Sequence, residues 1–248
     1  MTVHYKTEGF VFKKEERLEA DRIFSVFTKD FGRVEIVGKS IRKINAKLRG
    51  NIEVFSLSEI EFIQGKSQKT LTDVILIQKF SSLIDNPEKL LLAIKISKVI
   101  DDFVKGQEED EKIWDLIIDA FKKLNNCAPQ NISYLLIYYY FIWNFIFILG
   151  YGPELYICAV CSQKLNPHSL YFSYKEGGVT CTSCSLVQKD CIKITSDIVK
   201  VIRLTLKKDW ETLSKIKMEI GSQKLLKEVS EKYYLYLKSN FVTDTIKI

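Results

Sequence analysis

Two Cys-x-x-Cys pairs constrain this chain more than any other feature: Cys158-Ala-Val-Cys161 and Cys181-Thr-Ser-Cys184, with nineteen residues between them. The spacing is that of a two-knuckle, four-cysteine zinc site. Each two-residue turn lets both flanking sulfurs reach one metal, and four thiolates close a tetrahedron. A closed tetrahedron leaves no position for water or substrate, so the metal is expected to be a structural staple and not a Lewis acid. Gly177-Gly178, just ahead of the second pair, marks a hairpin tip. The segment is expected to form a small ribbon whose strands present the knuckles.

Other uses of the cysteines fit less well. A disulfide framework would need an oxidising compartment, and Met1–Lys6 shows no apolar signal region. A thioredoxin-like redox pair would be a single Cys-x-x-Cys opening a helix in a βαβ unit. Four sulfur ligands do not by themselves separate zinc from an iron or iron–sulfur centre, and that alternative stays open here. Cys127 and Cys191 fall outside the pattern and read as ordinary thiols. His168, inside the spacer, reads as a loop residue.

At 248 residues the chain is long enough for one large or two modest cores. Its net charge of +6 leans toward anionic partners, and the distribution of that charge says more than the total. Lys29, Arg33, Lys39, Arg42, Lys43, Lys47 and Arg49 stand in one window against Asp30 and Glu35, a surplus of five positive charges. Cations grouped this way can contact several phosphates and release their counterions. Without a setting, such a run is a solvated loop.

The setting is all-β. Strand patterning covers Glu8–Lys13, Arg22–Thr28 and Gly32–Gly38 ahead of the densest part of the run, with a tight turn expected at Asp30-Phe31-Gly32. Val54–Ile63 and Leu71–Phe80 follow, separated by a turn around Gly65-Lys66-Ser67-Gln68. Five short strands with a basic connector between the third and fourth predict an OB-fold β-barrel. Such folds bind single strands through a basic groove with aromatic stacking platforms. Phe10, Phe12, Phe24, Phe27, Phe31 and Phe55 are candidates for stacking or for core, and a barrel this small needs most of them inside.

From residue 86 the apolar period becomes helical. Asn86-Pro87-Glu88 is a helix start with Asn86 as cap, and that helix is expected to reach about Val104. A second, from Asp110 to Leu124, places Ile113, Trp114, Ile117, Ile118 and Phe121 on one face. A third starts at Asn131. From Ile132 to Leu149 every residue is apolar or aromatic except Ser133 and Asn144, a length at the lower edge of a membrane span. Tyr138-Tyr139-Tyr140 near its middle argue against a span, because tyrosine prefers the membrane interface. A buried central helix and no membrane contact are expected.

After the cysteines, Thr195-Ser196-Asp197 caps a helix from Ile198 to Lys208, and another runs from Ser222 to Ser239. Lys200, Arg203 and Lys207 share a face of the former. That stripe is either solvated or a contact for DNA or an acidic peptide. The predicted organisation is α+β and multidomain: an OB-fold barrel over 1–80, a helical domain over 81–157 and 185–248, and a zinc ribbon inserted at 158–184.

Catalytic signals are absent. Neither His4 nor His168 sits in a metalloprotease or nucleophile-elbow motif, and no phosphate-cradling glycine loop occurs. A binding protein is expected, not an enzyme.

The order of barrel, helices, four-cysteine knuckles and helices resembles the bacterial recombination mediator family RecO. Thr7-Glu8-Gly9-Phe10-Val11 is similar to the family's opening strand, and Thr28 to Arg33 to its T-x-x-x-G-K/R turn. Gly38 to Gly50 resembles its G-x-R-x-x-x-S-x-L-R-G loop, with Ala46 where serine is usual. Leu149-Gly150-Tyr151-Gly152-Pro153 into Cys158, and Gly177-Gly178-Val179 into Cys181, resemble its zinc segment. The resemblance implies a cytoplasmic, nucleoid-associated bacterial protein that binds single- and double-stranded DNA and anneals complementary strands. It implies action with RecR, engagement of the acidic C-terminal tail of single-stranded-DNA-binding protein, and help in loading RecA during repair. Carried over by residue, Arg33, Lys39, Arg42, Lys43, Lys47 and Arg49 become phosphate contacts, and Cys158, Cys161, Cys181 and Cys184 hold a structural Zn2+. Two other readings predict different behaviour: a zinc-ribbon nucleic-acid-binding protein of transcription or RNA metabolism would not anneal, and a membrane-anchored adaptor would sediment with membranes.

Overall fold

The computed structural model describes residues 3–43, 48, 50–127, 134–188 and 190–245, without side chains from 241 onward. Contacts divide the chain into two compact units, 1–126 and 127–248. The first unit thus holds the helices up to residue 126 together with the barrel, whereas the sequence pattern alone starts a helical domain at 81.

In the first unit, β1 (His4–Arg17), β2 (Asp21–Thr28), β3 (Gly32–Gly38), β4 (Ser56–Gln64) and β5 (Lys69–Lys79) pair in the order β1-β2-β3-β5-β4. β4 pairs back onto β1, which completes the ring of pairings of an OB-fold. β3 and β5 run parallel and meet only at Ile36↔Lys69 and Val37↔Thr70; the other neighbours are antiparallel. β1 is longer than its apolar pattern suggests because it serves two ladders. His4 to Val11 pairs with β4, Gly9 to Arg17 pairs with β2, and the register shifts between Val11 and Lys13. A bulge at that point bends the strand and lets the sheet curl.

Val11, Phe24, Val26, Val34, Ile36, Ile60, Phe62, Leu71 and Val74 fill the interior, joined by Ile41 and Ile52 of the β3–β4 connector. The turn between β2 and β3 follows from two residues. The Thr28 hydroxyl accepts from the Phe31 amide at 3.1 Å and donates to the Gly32 carbonyl at 2.8 Å. Gly32 has a φ of 57°, and a Cβ there would collide with the Glu108 carbonyl, so glycine is required.

Among the described residues three helices complete this unit: α1 (Ser81–Ile84), α2 (Pro87–Phe103) and α3 (Glu111–Asn126). The Asn86 side chain accepts from the amides of Glu88 and Lys89, as its cap position predicts. Phe121 of α3 packs against Phe10 at 4.4 Å and against Phe55 at 5.6 Å between ring centroids, with Phe80 beside them. Phe10, Phe12, Phe24, Phe27 and Phe55 are all buried, so these five are core and not stacking platforms. Phe31 is half-buried and packs edge-on to Tyr5.

The second unit is built on α4 (Tyr134–Ile148). The expected helix start at Asn131 lies outside the described residues. Twelve of the helix's residues are buried, and around it lie α6 (Ser196–Leu206), α7 (Trp210–Lys215) and α8 (Ile220–Thr245). Two of its polar side chains find protein partners. Asn144 donates to the carbonyls of Tyr140 at 2.9 Å and Thr205 at 3.0 Å, and the Trp143 indole donates to Ser230 at 2.9 Å. Among the described residues no helix is long and apolar enough to cross a membrane. A small sheet, β7-β6-β8, made of β6 (Leu170–Ser173), β7 (Gly178–Thr180) and β8 (Cys191–Ile194), joins this core through Phe172, which packs on Trp143 and Tyr233.

Phe121 is buried between sheet and helices, and truncating a large core aromatic costs both transfer energy and a cavity. Phe121→Ala should lower the unfolding free energy by about 3–5 kcal/mol in urea titrations.

Candidate metal centre and nucleic-acid interface

The cysteine sulfurs are brought together by backbone hydrogen bonds. Cys158 to Cys161 form one knuckle: the Ser162 amide donates to the Cys158 carbonyl, and the Cys158 amide donates to the Gln163 carbonyl, both at 2.9 Å. The Ala159 amide ties this knuckle to the ribbon through the Val179 carbonyl at 2.9 Å. Gly178 sits where a Cβ would meet the Glu154 carbonyl and Ala159, which explains the second glycine of the pair. Cys181 precedes α5 (Thr182–Val187), and Cys184 lies in its first turn. The expected hairpin tip is Tyr174 to Gly177, with Gly177 at a φ of 61°.

All four sulfurs lie within 4.8 Å of one another. The Cys161 and Cys181 sulfurs are 3.9 Å apart, against about 3.8 Å for the edge of a tetrahedron with zinc–sulfur bonds of about 2.3 Å. Cys158 is fully buried and Cys161 is exposed. Burial pushes the Cys158 thiol up, but the amides of Cys161, Cys181 and Val160 pull it down further, to about 6. At Cys184 the direction reverses: its hydrogen bond to Cys181 and the other nearby sulfurs push it up to about 12. One thiolate forms readily and opposes the next; a cation among four sulfurs removes that opposition. The donor set therefore fits a metal ion. His168 is exposed and does not belong to the group.

Arg203 supports this region. Its guanidinium donates to the Leu155 carbonyl and lies 4.2 Å from the Tyr156 ring centroid. Lys200 pairs with Asp197 at 3.2 Å. The stripe read on this helix thus contains one residue that anchors the chain leading to Cys158.

The basic residues of the first unit separate into two places. Arg33 is largely buried: it pairs with Asp101 at 2.7 Å, donates to the Val104 carbonyl at 2.9 Å and lies over the Phe12 ring. It joins β3 to α2, and both terminal nitrogens of its guanidinium are already engaged. Lys39, Arg42 and Lys43 lie at the other end of β3, roughly 20 Å along the strand, and all three are exposed. Lys47 and Arg49 lie outside the described residues.

The loop carrying Lys39 to Lys43 is held to the β1–β2 hairpin. The Ser40 amide donates to Asp21, the Arg42 amide to the Ala20 carbonyl, and Glu16 bridges Arg42 and Arg22 at 2.9 and 3.0 Å. Arg17 of the same hairpin donates to Gln68 in the β4–β5 turn at 2.8 Å. Three loops distant in sequence therefore meet at one rim, and with them come Arg17, Arg22 and Lys66. Sequence reasoning missed these three because no local cluster marks them; strand pairing collects them.

An OB-fold unit followed by a helical unit with a four-cysteine cluster that could hold a metal ion defines a two-unit class of protein. The family model described as "Recombination protein O N terminal" matches residues 1–80, and "Recombination protein O C terminal" matches residues 84–238. A "DNA repair protein RecO" of Dehalococcoides mccartyi is 30% identical over 86% of this chain and 83% of its own length. Proteins with the same description from Alkaliphilus metalliredigens (26% identical, 93% of this chain and 92% of theirs) and Desulforamulus reducens (26%, 94% and 88%) are also similar. The chain belongs to the recombination protein O family, whose role is DNA repair and recombination.

Two outcomes are expected. The Cys158→Ser, Cys181→Ser double variant should lose bound metal by elemental analysis and melt at lower temperature. In the unaltered protein acid should release the metal, because protons compete for the thiolates. At Asp101 burial raises the carboxyl pKa, but the hydrogen bond from Lys13 and the charge of Arg33 outweigh it and hold it below the usual range. A depressed folded pKa stabilises above the unfolded value, about 3.9, and the benefit fades as pH falls through the folded one. Asp101→Asn should be the less stable protein at pH 6 and converge with the unaltered one in acid, as followed by urea midpoints.

Proposed function

We propose that this chain is a non-enzymatic recombination mediator of the cytoplasm and nucleoid. It binds single- and double-stranded DNA at the barrel rim, anneals complementary strands and helps load RecA onto strands coated by single-stranded-DNA-binding protein. Its partners in this reading are RecR and the acidic tail of the single-stranded-DNA-binding protein. The observation that carries the reading is the meeting of three loops at one end of an OB-fold, with Lys39, Arg42 and Lys43 exposed there.

Exposed cations on a rim neutralise phosphates without reading bases, which suits a protein that must accept any sequence. Lys47 and Arg49 extend the proposed contacts along the same connector. Arg33 plays a different part in this reading: it holds β3 to α2 and thereby keeps the barrel seated on its helices. The metal is proposed to be zinc, held by Cys158, Cys161, Cys181 and Cys184 as a closed structural site. Bound there, it would add thermodynamic stability to the ribbon and take no part in chemistry.

Replacing Lys39, Arg42 and Lys43 with alanine should weaken binding of every DNA sequence tested and flatten the salt dependence by about 2 in slope for single strands. The variant should also lose acceleration of annealing between strands coated by their cognate binding protein. An unchanged slope would move the DNA site off the rim. Tight DNA binding by the unaltered protein without faster annealing would reject the mediator reading.

A further inference from the structure

β5 meets β3 only at Ile36↔Lys69 and Val37↔Thr70, so from Leu71 to Lys79 its ladder partners lie on the β4 side alone among the described residues. The Val74 carbonyl accepts from the Asn51 side chain at 3.2 Å. Beyond it, from Ile75 to Lys79, no backbone group has a hydrogen-bond partner outside the β4 ladder among the described residues. Such an edge is a template for another strand, and proteins usually blunt it with charge or proline. Here Ile75, Leu76 and Ile77 stand on it in succession, 55%, 37% and 50% exposed. The ladder explains why. Ser58 faces Leu76 and Leu57 faces Gln78, so Ile77 is skipped, the alternation of faces breaks, and successive apolar side chains reach solvent.

The charges around this strip identify its occupant. Glu59 and Glu61, opposite Ile75 and Asp73 on β4, are compensated by Lys6 at 2.7 and 3.5 Å. On β5 itself Asp73 lies three residues before Leu76 and Lys79 three residues after it, and both are exposed. Asp73 accepts from the Val74 amide at 2.9 Å, and neither it nor Lys79 forms an ion pair among the described residues. One charge of each sign offers little to a strongly charged partner, but this spacing makes the strand complementary to its own reverse. Set antiparallel about a two-fold axis at Leu76, Leu76 faces its own copy, Ile75 faces Ile77, and Asp73 faces Lys79. Apolar pairs and opposite charges directly across a ladder are favourable, and the symmetry makes each of the last two occur twice. Moving the axis to residue 75 would set Asp73 against Ile77, and moving it to residue 77 would set Lys79 against Ile75.

We infer that this strand edge binds a second copy of the chain, forming a symmetric dimer in which two β5 strands pair antiparallel about Leu76. Gln68, which holds Arg17 at the rim, lies just before the start of β5. The axis at Leu76 therefore leaves the two rims at opposite ends of the joined sheet, roughly 50 Å apart at about 3.4 Å per residue. On the DNA reading given above, one dimer can hold two strands at once; the dimer itself rests on β5 alone.

The test is sedimentation equilibrium of the full chain, without DNA, over a range of concentrations. The unaltered protein should pass from the 28.8 kDa of one chain to twice that mass. Asp73→Lys and Lys79→Asp each set like charges across the axis twice and should each weaken the dimer by about tenfold. The double exchange, Asp73→Lys with Lys79→Asp, should restore it, which a merely damaged fold would not do. Ile77→Glu should leave a monomer, with melting curves reporting that it is folded. The triple alanine variant of Lys39, Arg42 and Lys43 should dimerise normally, which separates this result from any failure of the DNA reading. A monomer at every concentration up to about 100 μM would overturn the inference. A dimer unaffected by Ile77→Glu would overturn it as well, and so would a double exchange no tighter than the single ones. Dissociation of the dimer by oligo-dT that the Ile77→Glu variant no longer binds would overturn it too, by making the edge a nucleic-acid surface.

Discussion

The first unit depends on one strand doing two jobs. β1 runs from His4 to Arg17 and lends its first part to β4 and its later part to β2, with a register shift between Val11 and Lys13. Without that bend the ring of pairings could not return to its starting strand. The same strand sets the surroundings of the rim. Its far end, at Glu16 and Arg17, holds the connector after β3 and the β4–β5 turn, so the exposed cations meet at the rim. Its middle, at Phe12 to Lys14, leaves the ladder with β4 and lines a groove beside α2.

In the second unit the equivalent constraint is electrostatic. Amides lower the Cys158 thiol to about 6, while neighbouring sulfurs raise Cys184 to about 12. Four sulfurs this close favour one thiolate and resist the rest, a conflict that a metal ion would relieve. The knuckles are in turn held from outside the cluster. Arg203 grips the Leu155 carbonyl, and Phe172 fits between Trp143 and Tyr233. The helical core and the small sheet thus support the same turns that the metal would close.

Much of this architecture was legible in the chain. Asn86, Thr195 and the glycine at 32 act where their chemistry says they should, as two caps and a turn residue with positive φ. The apolar stripe of α3 is buried, with Phe121 packed on Phe10 of the barrel, and the charge-free helix α4 is buried in protein. Other elements left no usable signal. α1, α5 and α7 are too short for a helical period to register, and β8 has only four residues. β1 extends through Lys13 to Arg17, a polar stretch that is a strand only because β2 pairs with it. Arg33 looked like one more cation in a basic run, since burial and a partner 68 residues away leave no local mark.

What the amino-acid sequence determined by itself is local chemistry. The cysteine spacing set a four-sulfur site, the alternating apolar residues set the barrel strands, and the basic connector placed cations between β3 and β4. The tertiary structure alone decided which of those cations share a surface. It turned Arg33 inward to Asp101, gathered Lys39, Arg42 and Lys43 with the β1–β2 hairpin, and left β1 open beside α2. The reason is that a side chain's exposure and partners are set by long-range pairing, which brings together residues tens of positions apart and is invisible to any local pattern.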